Sequence, residues 1–443
     1  MSNAKNNTST PEVIFHTKEA PYVGVRLDGI EFSADAKTAV KRGSQPPVRD
    51  TVCIPDGVNF ITWAAHPRIT AIAIPPSVQK IGQEAFTVFK NHYTPDGYYP
   101  MDDDPMGNGH HLNLRTVIFS DGLKEIGAWA FMNMKAISGI KLPKGLEKIS
   151  EEAFLGCDGI TQLIIPASVK SLGRGVFDSC IGLKKVIFVD GIEVLPSNLF
   201  YNNSALTELT LPKTLTRIGD WCFSACSALS EIDVPESVEE IGTGAFRDCT
   251  SITDFTIKRD IKWGKNVFEG CEALVSYRFE KEVHSPELLP YSPYVKSIEA
   301  AKDHPDFVTV DGAVYTKDKK TLVRVPFGIS GEFTVPRGVT AIGNRAFSDC
   351  KGITAVNLPS THEAIGEKAF YGCSALKEMN LGGKVRKIGD CAFAKCESLT
   401  KLHVSASVTE IGEGILLECG DTEITVSPAN PAYKIVDGII VRK

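Results

Sequence analysis

Leu206 to Ala228 reads LTELTLPKTLTRIGDWCFSACSA, and variants of this phrase return along most of the 443-residue chain. Phe223 stands in a column with Phe131, Phe154, Phe177, Phe200 and Phe246, each step 23 residues, and Phe268 follows 22 later. Phe347, Phe370 and Phe393 resume the step of 23, Leu416 takes the next slot, and Phe86 stands 45 residues before Phe131. Aligned on this column, one unit is L-x-x-I-x-I-P-x-x-V-x-x-I-G-x-x-A-F-x-x-C-x-x, in about twelve registers. A fixed period of this length marks a solenoid. One unit cannot bury its apolar face alone, and stacked units join their faces into a continuous core.

Each part of the unit has a physical task. Leu206, Leu209 and Leu211 suit a short strand with its apolar side chains inward. Pro212 cannot donate to a ladder and ends that strand. Leu215 and Ile218 re-enter the core, and Gly219 reads as a tight turn made without a Cβ. The Ala-Phe pair and the Cys three places later read as one short helical turn that closes the coil.

Breaks in the pattern mark the organisation. Residues 1–68 read as tail and N-terminal cap, with Ile54-Pro-Asp-Gly-Val58 a degenerate first coil. Residues 69–280 form a first array that carries a polar excursion at 87–113. The repeat lapses over 281–332, an island in which Val308–Val310, Asp311-Gly312 and Ala313–Thr316 read as a hairpin on a D-G turn, continued by Thr321–Val325. A second array covers 333–421, and 422–443 holds a partial second island: Asn430-Pro-Ala-Tyr433 and Val436-Asp-Gly438 match His304-Pro-Asp-Phe307 and Val310-Asp-Gly312.

The units TLPKTLTRIGDWCFSAC, DVPESVEEIGTGAFRDC and TVPRGVTAIGNRAFSDC resemble the BspA-like (Treponema-type) leucine-rich repeats. The NPxY…VDG islands are similar to segments that interrupt arrays in that class. The resemblance covers roughly residues 54–443 and is specific to the repeat class. It implies an α/β solenoid, curved and right-handed, of ~23-residue coils with a parallel sheet on the concave face. It also implies secretion or a cell-surface location and adhesion to a host matrix or cell-surface protein. The family brings no shared catalytic residues.

Composition is that of a folded soluble chain, neither disordered nor collagen-like. It is 43% hydrophobic and 23% charged, with net charge −6 from 48 basic and 54 acidic residues. That balance argues against nucleic acid, which is met by a basic stripe. No window is apolar enough for a membrane span. The polar start, Met1-Ser-Asn-Ala-Lys-Asn-Asn-Thr8, leads into no apolar core, so no secretory signal is read there and the resemblance alone argues for export rather than the cytoplasm. No G-x-S-x-G, H-E-x-x-H, P-loop or G-x-G-x-x-G motif is present, and no cofactor is expected.

Nine cysteines (157, 180, 226, 249, 271, 350, 373, 396 and 419) sit three places after the Phe column. A metal or redox array is one reading. A ladder of buried, inert thiols is the better one, because Met134 and Asn203 fill the same slot and free Cys is among the most buried residue types. Native labelling is then expected to count at most the three off-ladder cysteines, Cys53, Cys222 and Cys391, whose state their spacing leaves undetermined. The inward column three after the Pro slot holds Val, Leu or Ile in eleven coils and His362 in the twelfth. A pH-sensitive joint is conceivable there, but a local shift that lets the ring reach water or a backbone partner is preferred. The excursion carries Asp102-Asp103-Asp104 and His110-His111, whose spacing fits no ligand motif, so a solvated loop is expected.

On the strand L-x-x-I-x-I, alternation turns the residue before the last apolar one toward solvent. That column reads Ile118, Lys141, Ile164, Ile187, Thr210, Asp233, Thr256. Two places earlier it reads Thr116, Gly139, Gln162, Lys185, Glu208, Glu231, Asp254. A solvent-facing column has no need of isoleucine, so Ile118, Ile164 and Ile187, beside Lys141 and Lys185, form a candidate binding patch for a protein partner. The acidic run Glu208, Glu231, Asp233 and Asp254 adjoins it and would steer a basic partner. The competing readings are that these isoleucines slip into the core or that residues 87–113 cover them. At the level of the whole protein, a self-assembling scaffold is the alternative, and an enzyme comes third.

Overall fold

The computed structural model describes residues 71–86 and 114–443 and, before them, the backbone of short strands between Glu12 and Ala65. The chain is a β-solenoid of about 14 coils, divided into two compact units, Met1–Cys249 and Thr250–Lys443. Among the described residues the only helical segment is the single 3-10 turn Pro286–Leu288. The expected α/β class is therefore corrected to an almost purely β one.

In the first unit most coils contribute two short strands, one to each of two sets of parallel sheets. The L-x-x-I-x-I strands give Thr51–Cys53, Ala71–Ala73, Thr116–Ile118 and Gly139–Ile140 in one sheet, and Gln162–Ile165, Lys185–Phe188 and Glu208–Thr210 in another. The V-x-x-I-G stretch, read above only as a return to the core, forms a second set: Phe60–Ile61, Lys80–Ile81, Glu125–Ile126, Lys148–Ile149 and Ser171–Leu172. Thr51–Cys53 and Phe60–Ile61 hold regular places in the two sheets, while Ile54–Val58, read as a degenerate coil, lies outside the described residues. Ala71–Ala73 pairs directly with Thr116–Ile118, and Phe86 stacks on Phe131 at 4.7 Å. The coils on either side of 87–113 are therefore immediate neighbours; residues 87–113 themselves, with Asp102–Asp104 and His110-His111, lie outside the described residues.

The closing turn is where local expectation fails. The residue two before the column Phe has a left-handed backbone in coil after coil: Trp129 (φ 55°), Glu152 (51°), Asn198 (60°) and Trp221 (56°). So does the residue two after it, as at Asn133 (60°), Asn202 (56°) and Ala225 (60°). A right-handed helix cannot run through two such residues, each costing about 1–2 kcal/mol for a non-glycine side chain. The gain is inter-coil: N–H groups that a helix would use internally donate sideways, Trp129 to Glu151 (3.0 Å), Phe131 to Ala153 (2.8 Å) and Asn133 to Leu155 (2.7 Å). The turn is a hydrogen-bonded edge between coils rather than a helix.

The core follows the Phe column. Phe131, Phe154, Phe177, Phe200, Phe223 and Phe246 are fully buried and stack ring on ring at 5.0–5.7 Å with interplanar angles of 3–10°. Gly219 does not have a left-handed backbone; a Cβ there would stand 2.6 Å from the Ser197 nitrogen of the preceding coil. Close approach between coils, not turn geometry, selects the glycine.

The second unit repeats this plan. Its first sheet holds Ser330–Thr334, Gly352–Asn357, Glu378–Asn380, Lys401–Val404 and Glu423–Val426. In its other sheet Phe307–Val310 and Ala313–Thr316 pair antiparallel about Asp311 and Gly312, both at positive φ (48° and 77°). Thr321–Arg324 then lies antiparallel to Ala313–Thr316 and parallel to Ala341–Ile342, so this segment runs into the sheet of the coils that follow. Arg324 is fully buried without a carboxylate partner. It donates to the carbonyls of Arg345 (2.6 Å) and Ser348 (3.1 Å) and lies 4.0 Å over the Phe327 ring. In regular coils the carbonyl after the Phe accepts from the previous coil's turn, as Leu155 does from Asn133. Arg324 takes over that role for the coil of Phe347.

His362 is also corrected. The ring is buried, and neither nitrogen has a hydrogen-bond partner. It occupies a core position shared with Val339 and Val385 and reaches neither water nor backbone. Burial lowers its pKa to about 4.

Candidate recognition face

Alternation on the first-sheet strands holds. In Thr116–Ile118 the outer residues are exposed and Val117 is buried, and Gln162–Ile165 reads exposed, buried, exposed, buried. Ile118 and Ile164 are each 57% exposed. They do not fill the core, so the slipped-register reading is excluded for both; Ile187 is half-buried.

The register shows which residues meet. Ile164 is the direct partner of Ile187, which faces Thr210, and Gln162 faces Lys185, which faces Glu208. Ile118 lies on the strand that pairs with Gly139–Ile140, beyond which Lys141 stands exposed. The apolar row is thus Ile118, then the Lys141 side chain, then the Ile164–Ile187 pair. Lys185 forms an ion pair with Glu208. The acidic run is weaker than its sequence suggests, because Glu208 spends its charge on this neighbour. Glu231 and Asp233 are exposed on an irregular stretch that replaces the strand of that coil. Asp254 belongs to the second unit, half-buried on Asp254–Arg259 opposite Ser276.

Charge elsewhere is also organised from coil to coil. On the second-sheet face of the first unit, Glu125 lies between Lys80 (3.0 Å) and Lys148 (3.2 Å). Partial burial pushes its pKa up, but hydrogen bonds and charge from the two lysines outweigh this, and it is lowered. Asp178, beside the Phe177 turn, is raised to about 6, first by burial; the Ser179 hydroxyl opposes the shift and the charge of Glu152 adds to it. In the second unit a groove of about 590 Å³ runs along Gly343, Gly366, Gly389 and Gly412, with Tyr433 and Arg442 also lining it. Its walls carry Lys387 and Glu410, paired at 3.5 Å. Among the described residues no group of three or more His, Cys, Asp or Glu side chains is arranged to hold a metal ion. Nor is any helix among them long and apolar enough to cross a membrane.

The ladder cysteines carry a bond that their spacing did not reveal. Cys157, Cys180 and Cys249 each donate their thiol to the carbonyl of the Phe one coil back, Phe131, Phe154 and Phe223, at 3.1–3.2 Å. Asn203 does the same to Phe177 at 2.8 Å. Where the slot holds Cys or Asn it sets a buried donor against that carbonyl, which is the reason Asn can replace Cys in it; Met134 fills the slot by packing alone. Burial pushes Cys226, Cys350 and Cys396 up to about 12.

Six copies of the repeat described as the BspA type leucine rich repeat region match residues 109–206, 193–287 and 330–432. The chain belongs to that family. Three solved structures are similar to this BspA-type chain. A leucine-rich repeat protein from Bacteroides ovatus is 20% identical over 95% of this chain and 94% of its own, with a TM-score of 0.46. A leucine rich cell surface protein from Faecalibacterium prausnitzii is 22% identical over 93% and 96%, with a TM-score of 0.36. A leucine-rich repeat protein from T. pallidum is 28% identical over 40% of this BspA-type chain and 77% of its own, with a TM-score of 0.33. No curated protein matches it.

Proposed function

We propose that this chain is a non-enzymatic recognition protein of the adhesion type, acting after secretion or at the cell surface. It binds a protein partner, such as a host matrix or cell-surface protein, through the face that carries Ile118, Lys141, Ile164, Lys185, Ile187, Glu208, Glu231 and Asp233. This is the side that the family resemblance makes concave. The observation that carries the reading is the 57% exposure of both Ile118 and Ile164 on sheet strands whose alternate residues are buried. Exposed apolar side chains held on a rigid sheet, rimmed by Lys141 and the Lys185–Glu208 pair, are the material of an interface core with a polar rim.

The test is solid-phase binding of the chain to purified extracellular-matrix proteins and to intact host cells, with wild type set against Ile118→Asp/Ile164→Asp. The double variant should bind about tenfold more weakly or worse while its thermal melt stays unchanged. Equal binding by both proteins would move the site elsewhere, and no binding by the wild type to any of these probes would reject the adhesion reading.

A further inference from the structure

A glycine inside a strand needs a reason, because it weakens the strand and leaves no side chain to pack. Among the described residues the strand glycines are Gly139, Gly331 and Gly352. Gly331 has a left-handed backbone (φ 80°), and a Cβ on Gly352 would stand 2.9 Å from the Ile329 carbonyl oxygen. Gly139 has neither reason. Its φ is not positive, and a Cβ there would meet no atom within 4 Å. It lies exposed on Gly139–Ile140, in the same face as Ile118 and Ile164. Neither turn geometry nor coil packing accounts for the missing side chain, and a strand glycine without such a cause marks a place where another group comes close.

The surroundings define what fits. Thr116 is the register partner of Gly139 on one side, and Gln162 stands one coil on at the other, in the first strand of the next sheet; both are exposed. Lys141, two residues along the strand, is on the same face about 7 Å away, and it too is exposed. Ile118 and Ile164 take the two diagonal positions, within reach of a large side chain. From Thr116 to Gln162 the notch spans two strand spacings, about 10 Å. Its floor is bare main chain, two of its corners are apolar, and a cation stands at its head. One aromatic ring lying flat fills such a space. Sheets cover strand glycines in this way with a ring from a neighbouring strand, but here the neighbours are Thr116 and Gln162, so the chain's own strands supply none.

We propose that Gly139 is the floor of an anchor pocket for one aromatic side chain of the protein partner. The ring lies over the Gly139 main chain between Thr116 and Gln162, with its flanks against Ile118 and Ile164. The Lys141 stem is long enough to bring its ammonium over the outer face of the ring, a cation–π contact that an aliphatic anchor cannot make. A single buried aromatic at the centre of a patch is the group that dominates many interfaces. The inference rests on the recognition face proposed above and names the group that binds there.

The experiment titrates the full chain with N-acetyl-tryptophanamide and, separately, N-acetyl-leucinamide, read by amide NMR shifts. The tryptophan probe should shift the Thr116, Gly139, Lys141 and Gln162 amides saturably, and the leucine probe should bind about tenfold more weakly or worse. Gly139→Val fills the notch and should weaken the tryptophan response about tenfold or more, while the thermal melt stays level or rises because valine suits a strand and its Cβ meets nothing. Lys141→Glu should weaken it in the same direction. No saturable shift at these amides, or equal binding of the two probes, overturns the proposal. So do shifts that occur only after residues 87–113 are replaced by a Gly-Ser linker, because this chain would then supply the ring. In the solid-phase assay above, loss of binding by Ile118→Asp/Ile164→Asp with wild-type binding by Gly139→Val leaves the recognition face standing and overturns the anchor. Saturable ring binding by a chain that captures none of those proteins supports the pocket and removes the adhesion reading alone.

Discussion

The thiol of Cys226 donates a hydrogen bond to the main-chain carbonyl of Phe200, one coil earlier, at 3.3 Å. Phe200 in turn stacks on Phe223, three residues before that cysteine, at 5.6 Å. Each coil is therefore tied to its predecessor twice at one place, by a ring and by a buried donor. Replacing Cys226 with Ala deletes the donor and leaves the Phe200 carbonyl without it, which should cost about 1–3 kcal/mol in urea unfolding. Cys226→Asn should recover part of that loss, because Asn203 makes the same bond. Equal stability of the Ala variant and the wild type would show that the thiol bond contributes nothing.

Reactivity toward Ellman's reagent should follow burial. Among the described residues only Cys391 and Cys419 are not fully buried, so those two should label in the native protein and the other nine should wait for unfolding. Cys222, whose off-ladder position left its state open, is buried, and that burial raises its pKa well above the ordinary thiol value. Cys419, a ladder thiol expected to be buried, is only half-buried, and rapid native labelling of the other eight ladder thiols would contradict this packing.

Phe223 lies between Phe200 and Phe246, each ring centroid 5.6 Å away. Phe223→Ala should destabilise the first unit by about 3–5 kcal/mol, through lost burial and a cavity that the stack on either side cannot close. Thermal or urea unfolding gives the number, and a loss under about 1 kcal/mol would mean that the column is far more plastic than close packing allows.

Arg324→Met keeps apolar length over Phe327 but removes both donors to Arg345 and Ser348. The Ser348 carbonyl then loses its partner, at about 1–3 kcal/mol, while the Arg345 carbonyl keeps the Ser348 amide at 2.9 Å. Opposing this is the cost of holding a desolvated guanidinium without a carboxylate, for burial already lowers the Arg324 pKa. The Ser348 carbonyl should win, because the neighbouring donor on that side, Val325 N, is already committed to Ala346 O at 2.8 Å. Hydrogen exchange should show faster opening around Phe347 in the variant, and unchanged protection there would refute the capping role.

His362 makes stability depend on pH. Its pKa is about 4 in the folded chain against 6.5 unfolded, so between these values the unfolded state binds the extra proton. Stability is full above about pH 6.5 and falls as pH drops toward 4, by up to about 3 kcal/mol. Asp178, raised to about 6, titrates in the opposite sense over an overlapping range, so the test is the difference between wild type and His362→Val. The gap in stability in favour of Val should widen from pH 7 to pH 4.5. A constant gap would mean that the ring finds a partner or a route to water.

The solenoid was legible in the residues alone because every coil meets nearly the same surroundings as the last. Burial of the Phe column, the alternation that leaves Ile118 and Ile164 outside, and the enclosure of eight of the nine ladder thiols all follow from period and polarity, which are properties of the chain itself. What could not be read there depends on atoms one coil away. The closing turn adopts left-handed residues in place of a helix because Phe131 and its neighbours find acceptors at Ala153 and Leu155, a gain absent from local propensity. Gly219 is required by Ser197, Cys226 by the Phe200 carbonyl, and Arg324 by a coil that lacks a regular predecessor.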